Sequence, residues 1–241
     1  MEKTDELWPG GPCFKDKDGV FRVGTDSVML AYFAGSSPLR KIRKTIDLGC
    51  GSGVISILLA CNDPKLTVDG IEIQPDAARL ASDNAGLNGL SKRINIIEGD
   101  LRRCREFLQP GAYDLTISNP PYYTLGSGKR PEDIKRATAR GEELCTLDDL
   151  CKAAGYLTRW GGSFMLVHKP ERTADIFRAL NSTGFEPKRI RFVHHKHSSP
   201  PSLVLIESRR GGKPLLKFEA PLFLANEDGS DSDEVISIYR R

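Results

Sequence analysis

The feature that most constrains this chain is a glycine-rich turn, Asp47-Leu48-Gly49-Cys50-Gly51-Ser52-Gly53, set between an apolar run at 45–48 and a helix-period segment at 54–61. A strand that enters such a turn and leaves as a helix reads as the first βα unit of a parallel sheet. The glycines there let backbone approach a ligand at the carboxyl end of the strand. From this point apolar runs and helix-period segments alternate. Strands are predicted at 45–48, 67–73, 94–98, 114–118, 163–168, 189–194 and 202–208, and helices at 54–61, 75–87, 101–108, 147–159 behind a Thr146 cap, and 172–183. The last two strands are joined by 195–201, too short for a helical crossover, so they pair antiparallel. The expected fold class is α/β: a doubly wound, Rossmann-like, seven-stranded, mostly parallel sheet whose last strand is antiparallel. Upstream, 13–23 reads as a short β-hairpin around Asp18-Gly19, and Asp26 as the cap of a helix through Ala34. That divides the chain into an N-terminal hairpin and helix, 1–43, packing over the ligand site, and a main domain, 44–241.

The spacing of the loop discriminates between ligands. A dinucleotide fingerprint requires G-x-G-x-x-G, and Val54 stands where its last glycine belongs. Gly128-Lys129 is followed by Arg130 rather than Ser or Thr, which excludes a P-loop. Glu72, 25 residues after Asp47, ends the second predicted strand, where a carboxylate can accept from both hydroxyls of a ribose, and Asp100 ends the third, where it can accept from an adenine amino group. Ile73 and Leu101, the residues following these two acids, complete the expected pocket with Gly49, Gly51 and Gly53. Acceptors without a phosphate-binding cation suit a nucleoside carrying an ammonium and a sulfonium. The combination resembles the cofactor site of the class I S-adenosylmethionine-dependent methyltransferases.

Asn119-Pro120-Pro121-Tyr122 begins at the carboxyl end of the fourth predicted strand, the first beyond the expected topological switch point, so it faces the same crevice as the glycine loop. The lone pair of an exocyclic amine is delocalised into its ring. It becomes nucleophilic when two acceptors take its hydrogens, and the Asn119 side-chain oxygen and Pro120 carbonyl are suited to that. The prolines stiffen the turn, and Tyr122 can stack on the planar group. The stretch resembles the motif of amino-methyltransferases acting on adenine N6, guanine N2 or a glutamine amide. Phe21-Arg22-Val23-Gly24-Thr25-Asp26-Ser27-Val28-Met29-Leu30, the extension Tyr123 and the basic run Arg136-Ala137-Thr138-Ala139-Arg140 are together similar to the bacterial tRNA1(Val) (adenine-37 N6)-methyltransferases. That resemblance implies that Gly24, Thr25 and Asp26 close over the methionyl end of the cofactor and that residues 119–123 clasp a flipped adenine. With about 43 residues before the sheet, no separate helical domain of the release-factor glutamine methyltransferases is expected.

The net charge of +3 conceals an uneven distribution: −1 over residues 1–128, +8 over 129–217 and −4 over 218–241. A polyanion fits the middle region, with Lys129, Arg130, Lys135, Arg136, Arg140, Lys188, Arg189, Arg191 and Lys196 as its candidate phosphate contacts. The partner expected is tRNA, whose anticodon-loop adenine is easily unstacked. The acidic stretch 226–234 reads as a mobile loop without an assignable function. His194, His195 and His197 cluster without an accompanying carboxylate or cysteine at ligand spacing, and the six cysteines form no C-x-x-C pair, so no metal is expected. No apolar run approaches the ~20 residues that cross a bilayer, and a cytoplasmic enzyme is expected. Ribosomal RNA or a protein amide as substrate, or an RNA-binding protein of this fold without catalysis, are the competing readings.

Overall fold

A computed structural model describes residues 3–16, 23–37, 42–121 and 145–240. Two short strands, β1 (Lys3–Glu6) and β2 (Cys13–Asp16), pair antiparallel and are followed by helix α1 (Thr25–Gly35). The sheet units follow: β3 (Lys44–Leu48), α2 (Val54–Asn62), β4 (Thr67–Glu72), α3 (Pro75–Leu87), β5 (Ile94–Glu98), a 3-10 helix at Leu101–Glu106, and β6 (Tyr113–Ser118). Beyond them come α4 (Leu147–Leu157), β7 (Thr158–His168), α5 (Thr173–Ser182), β8 (Phe185–His194) and β9 (Pro201–Arg210). The spatial order is β8-β9-β7-β6-β3-β4-β5, parallel except for β9, which runs antiparallel to both β7 and β8. The strand order reverses between β3 and β6, which places the crevice for a ligand at their carboxyl ends. The expected doubly wound sheet is the one observed.

α2 is buried at every position from Val54 to Ala60, because the sheet covers one side and α1 the other. α1 is correspondingly apolar all round, with Val28, Met29, Leu30, Ala31, Phe33 and Ala34 buried. Trp8 and Phe14 of the hairpin join the same core, so the N-terminal segment is packed into the main domain. Asn84 and Asn88, one turn apart on α3, serve the edge of β2 as a neighbouring strand would. The Asn84 side-chain oxygen accepts from the Lys15 N–H, the Asn88 oxygen accepts from the Cys13 N–H, and the Asn88 amide donates to the Cys13 carbonyl. The buried Asn84 also donates to the Ser52 carbonyl at 3.0 Å, bonding the hairpin to the glycine loop through one side chain.

Several expectations are corrected. The described hairpin, β1 with β2, turns at 7–12 and was not foreseen; the expected Asp18-Gly19 turn of 13–23 lies outside the described residues. α1 is capped by extended Gly24, and Asp26 sits within its first turn, where a carboxylate favours the helix dipole. Thr146 does cap α4, in a reciprocal box with Asp149. The segment after Glu98 is a tight 3-10 helix rather than an α-helix through 108. Two short strands were not foreseen, β10 (Lys217–Phe218) and β11 (Leu222–Phe223), which pair parallel to β8 and cover its outer edge. The acidic stretch is bonded into the fold. Asn226 and Ser230 close a turn, Ser232 caps α6 (Asp233–Ile238), and Glu234 pairs with Arg191.

Candidate active site

Leu48 delivers the chain into the glycine loop, where Gly49 (φ +72°) and Gly51 (φ +56°) adopt left-handed backbone that other residues avoid. A Cβ on either would meet no atom within 4 Å, so the loop faces open space on that side. Gly53 (φ +83°) caps α2, and a Cβ added to it would lie 3.2 Å from the Ala81 Cβ, so the missing side chain lets the loop seat closely on α3. The Gly49 and Cys50 N–H groups both donate to the Ile71 carbonyl.

Two buried carboxylates stand at this end of the sheet. Glu72 accepts from the Gly51 N–H and the Gln74 N–H, one on each oxygen at 2.9 Å. Each oxygen has a second lone pair, so a diol can still be received. Asp47 is fully buried and accepts from the Ser56 hydroxyl at 2.8 Å through one oxygen, while its other oxygen has no hydrogen-bond partner among the described residues. Burial pushes its carboxyl up to about 7, against the opposing effect of the Ser56 bonds. A buried acceptor left unpaired is costly and marks where a donor or cation belongs.

Asp100 is more heavily committed. It caps the 3-10 helix through the Arg102 N–H and grips the Arg102 guanidinium, with a closest approach of 2.6 Å; these bonds hold its carboxyl below the ordinary range. Any further donor at this carboxylate would share it with Arg102. Ile73 presents an unusual 46% exposed apolar surface beside Glu72, and half-buried Leu101 follows Asp100.

On the facing side, β6 ends at Ser118, whose buried hydroxyl donates to the Leu48 carbonyl at 2.7 Å. This bond clamps the carboxyl ends of β6 and β3 together, directly before Asn119 and the glycine loop. The Asn119 side-chain amide donates to the Ser27 hydroxyl of α1 at 3.0 Å. Pro120 is half-buried and Pro121 exposed, while Gly24 and Thr25 are exposed at the start of α1. The fold therefore gathers the glycine loop, Glu72, Asp47, Asn119 and the start of α1 around one crevice. Tyr122 and Tyr123 lie outside the described residues.

The basic candidates divide. Lys129, Arg130, Lys135, Arg136 and Arg140 lie outside the described residues. Arg189, expected to face RNA, is 4% exposed. Its guanidinium pairs with Glu207 at 2.8 Å, reaches Glu219 and Ser36, donates to the Phe33 carbonyl at the end of α1, and stacks on the Phe33 ring. It is an internal clamp, and its assignment to RNA is withdrawn. Arg191 is turned onto both carboxylate oxygens of Glu234 at 2.7 Å. Lys188 sits six residues before the carboxyl end of β8, roughly 20 Å from the crevice side at ~3.3 Å per residue, and donates to the Lys213 and Leu215 carbonyls. Lys196, in the turn after β8, is on the crevice side and donates to the Glu227 carbonyl.

Among the described residues no group of three His, Cys, Asp or Glu is placed to hold a metal. The Nδ1 atom of His194 bonds the Ser199 carbonyl, and His197 stacks on Phe223 with ring centres 3.5 Å apart. Among those residues no helix is long and apolar enough to cross a membrane.

Sequence reasoning missed Ser27, Ser56, Ser118 and Asn84. Ser56 was detectable as the lone hydroxyl in an otherwise apolar stretch, Val54–Ala60, and Ser118 as the hydroxyl at the carboxyl end of the strand directly before Asn119. The role of Ser27 depends on where α1 packs, which no local signal carries.

A family model described as the methyltransferase small domain matches residues 14–175. The tRNA1(Val) (adenine(37)-N6)-methyltransferase of Yersinia pseudotuberculosis serotype O:3 (strain YPIII) is 35% identical over 191 residues, covering 77% of this chain and 73% of that protein. The enzyme of the same name from Yersinia pestis (strain Pestoides F) is 35% identical over 191 residues, covering 77% of this chain and 75% of its own. Among solved structures, one described as a predicted O-methyltransferase from Agrobacterium tumefaciens superposes with a TM-score of 0.72 at 21% identity, over 90% of this chain and 96% of that one. At that identity the likeness is one of fold.

Proposed function

Because this chain belongs to the methyltransferase small-domain family, and within it to the tRNA1(Val) (adenine(37)-N6)-methyltransferases, we propose that it methylates the exocyclic N6 of an adenine in tRNA, at position 37 of a valine tRNA, in the cytoplasm. The chain is an S-adenosylmethionine-dependent methyltransferase. The observation that carries the amine-transfer reading is the clamp between Ser118 and Leu48, which sets Asn119 across the crevice from the glycine loop; the choice of tRNA adenine is supported by the relatives.

The residues present fit the cofactor. Gly49 and Gly51 leave open the space that a nucleoside would fill, Glu72 keeps acceptor capacity for its ribose, and the unpaired Asp47 oxygen suits the cationic end of the ligand. When bound, S-adenosylmethionine supplies an electrophilic methyl group on a sulfonium. In this reading Asp100 and Leu101 hold the adenine side and Ile73 covers it, while Gly24, Thr25 and Asp26 close over the methionyl side.

Asn119 Oδ1 and the Pro120 carbonyl accept the two hydrogens of the target amine and turn its lone pair out of conjugation toward the methyl. The rate gain is mainly one of orientation and of dipoles fixed before the reaction. No strong base is needed, because the alkylated amine is acidic and loses its proton to solvent. Tyr122 and Tyr123 supply stacking surface for the extruded base. Lys129, Arg130, Lys135, Arg136, Arg140 and Lys196 follow the phosphates. Residues 1–43 serve as a cover over the cofactor and 44–241 as the methyltransferase domain.

The test is incubation with methyl-labelled cofactor and three acceptors, unmodified valine tRNA transcript, ribosomal RNA and release factor, followed by nucleoside mapping. N6-methyladenosine at position 37 of the transcript is expected. Label in ribosomal RNA or protein alone overturns the reading.

A further inference from the structure

We propose that Asn84 is a positioning residue for the cofactor, holding the glycine loop in its ligand-binding form with the support of the docked N-terminal hairpin; this rests on that loop being the seat of S-adenosylmethionine, as proposed above. Residues 81, 84 and 88 are three and four apart on α3 and share one face. Along that face Ala81 lies against Gly53 and Asn88 bonds the Cys13 backbone, while Asn84, between them, bonds both the loop and the hairpin. The two edges of its amide are assigned by their partners. Nδ2 lies 3.0 Å from the Ser52 carbonyl, which can only accept, and Oδ1 lies 2.9 Å from the Lys15 backbone N–H, which can only donate. Asn84 is fully buried, so loss of either partner leaves a polar edge unpaired away from water.

The loop needs such a hold. Ser52 sits between Gly51 and Gly53, whose left-handed backbone has no side chain to limit it. Glu72 fixes the Gly51 N–H and the Cys50 carbonyl fixes the Gly53 N–H; Asn84 fixes the Ser52 carbonyl between them from α3. A loop that spends time in other forms binds its ligand more weakly by that fraction. On the hairpin side, the Lys15 N–H points at α3 and so stands outside the β1–β2 ladder, while Trp8 and Phe14 anchor the hairpin in the core. Docking of the hairpin therefore reaches the cofactor loop through one amide.

Calorimetric titration of the full chain with S-adenosylhomocysteine, below the Tm of every protein compared, tests this. Asn84→Ala should raise the Kd about tenfold and Lys15→Pro about three- to tenfold, the ratios that one hydrogen bond controls, while Lys15→Ala, which keeps the N–H, should stay within about twofold of wild type. Proline is tolerated on an edge strand where its missing N–H lies outside the ladder. The double variant Asn84→Ala/Lys15→Pro should bind as Asn84→Ala does, because the N–H acts only through the amide. An asparagine that merely supports the fold would lower Tm in Asn84→Ala and leave the Kd unchanged, and that result overturns the proposal. Losses that multiply in the double variant, or equal weakening in Lys15→Pro and Lys15→Ala, overturn it too. Where Asn84→Ala does not fold, the proline and alanine variants of Lys15 decide by themselves. Glu72→Ala marks the seat, and wild-type affinity in that variant defeats the placing of the cofactor instead.

Discussion

Asp47 at the carboxyl end of β3 and Arg189 on β8 are buried charges in one sheet, and the chain treats them in opposite ways. Arg189 has its donors met by Glu207, Glu219, the Ser36 hydroxyl and the Phe33 carbonyl, with an aromatic face beneath it. Asp47 receives one hydroxyl, keeps one oxygen unpaired, and has its carboxyl pushed up to about 7 by burial. A charge whose partners are all internal holds the fold; a charge left short of partners is where a ligand belongs. The contrast extends to the surroundings. At the β8–β9 edge the acidic C-terminal segment takes up cations, as Glu234 does with Arg191. At the crevice the glycine loop and Glu72 keep acceptors and space for something that is not protein.

The largest effect that follows is at the crevice. Asn119→Ala should lower the chemical step by roughly 10²- to 10⁴-fold while leaving the Kd for S-adenosylmethionine nearly unchanged, because the interaction it removes is made with the reacting amine. Equal losses in both would return Asn119 to the cofactor half. Next is the clamp. Arg189→Ala leaves Glu207 buried without its counter-charge and should cost about 3–5 kcal/mol in denaturant unfolding. The tRNA affinity of the folded fraction should be unaffected. A variant of normal stability with weakened RNA binding would restore the surface role withdrawn above.

Asp47 gives an effect of intermediate size with a defined sign. Its carboxyl titrates near 7 in the folded protein against an ordinary 3.8, so the folded state favours the protonated form. The stability this group contributes is full below about pH 4 and is lost as pH rises through 7. Asp47→Asn should therefore raise the Tm of the cofactor-free protein at pH 8 by roughly 5 °C. At pH 4 it should change Tm little, at pH 5 by about a third of the pH 8 effect, and at pH 8 it should weaken S-adenosylmethionine binding about tenfold. Tm profiles of the two proteins that stay parallel from pH 5 to 8 would contradict the assignment.

How much of this was legible beforehand follows the same division. The doubly wound sheet and the antiparallel β9 were legible from strand spacing, because a short connection physically forbids a parallel return; the insertion of β9 between β7 and β8 was not. The glycine loop, Glu72 and Asn119 came from position at strand ends, where ligand contacts accumulate on this fold. Long-range partners were not legible. Nothing local distinguishes Arg189, which is buried, from Lys188 beside it, which is only half-buried; the difference is the strand's alternation combined with where α1 ends. The acidic stretch 226–234 looked mobile because its composition is polar, yet Ser232 and Glu234 bind it to α6 and β8. Ser27 carries no local signal of its role, since its contact with Asn119 spans 92 residues of sequence.

The smallest expected effect separates two lysines that composition treats alike. Lys188 and Lys196 each donate to backbone carbonyls, and although Asp228 lies near Lys196, neither is enclosed by carboxylates as Arg189 is. They differ in which end of β8 they occupy, and phosphates of an RNA whose adenine enters at Asn119 run along the carboxyl end. Lys196→Ala should weaken tRNA binding a few-fold and reduce the slope of log K against log salt by about 1, the signature of one lost phosphate contact. Lys188→Ala should leave both unchanged. Equal losses at the two positions would mean that the RNA also passes along the amino end of the sheet, and the division between a ligand-facing crevice and a self-satisfied β8–β9 edge would have to be redrawn through β8 itself.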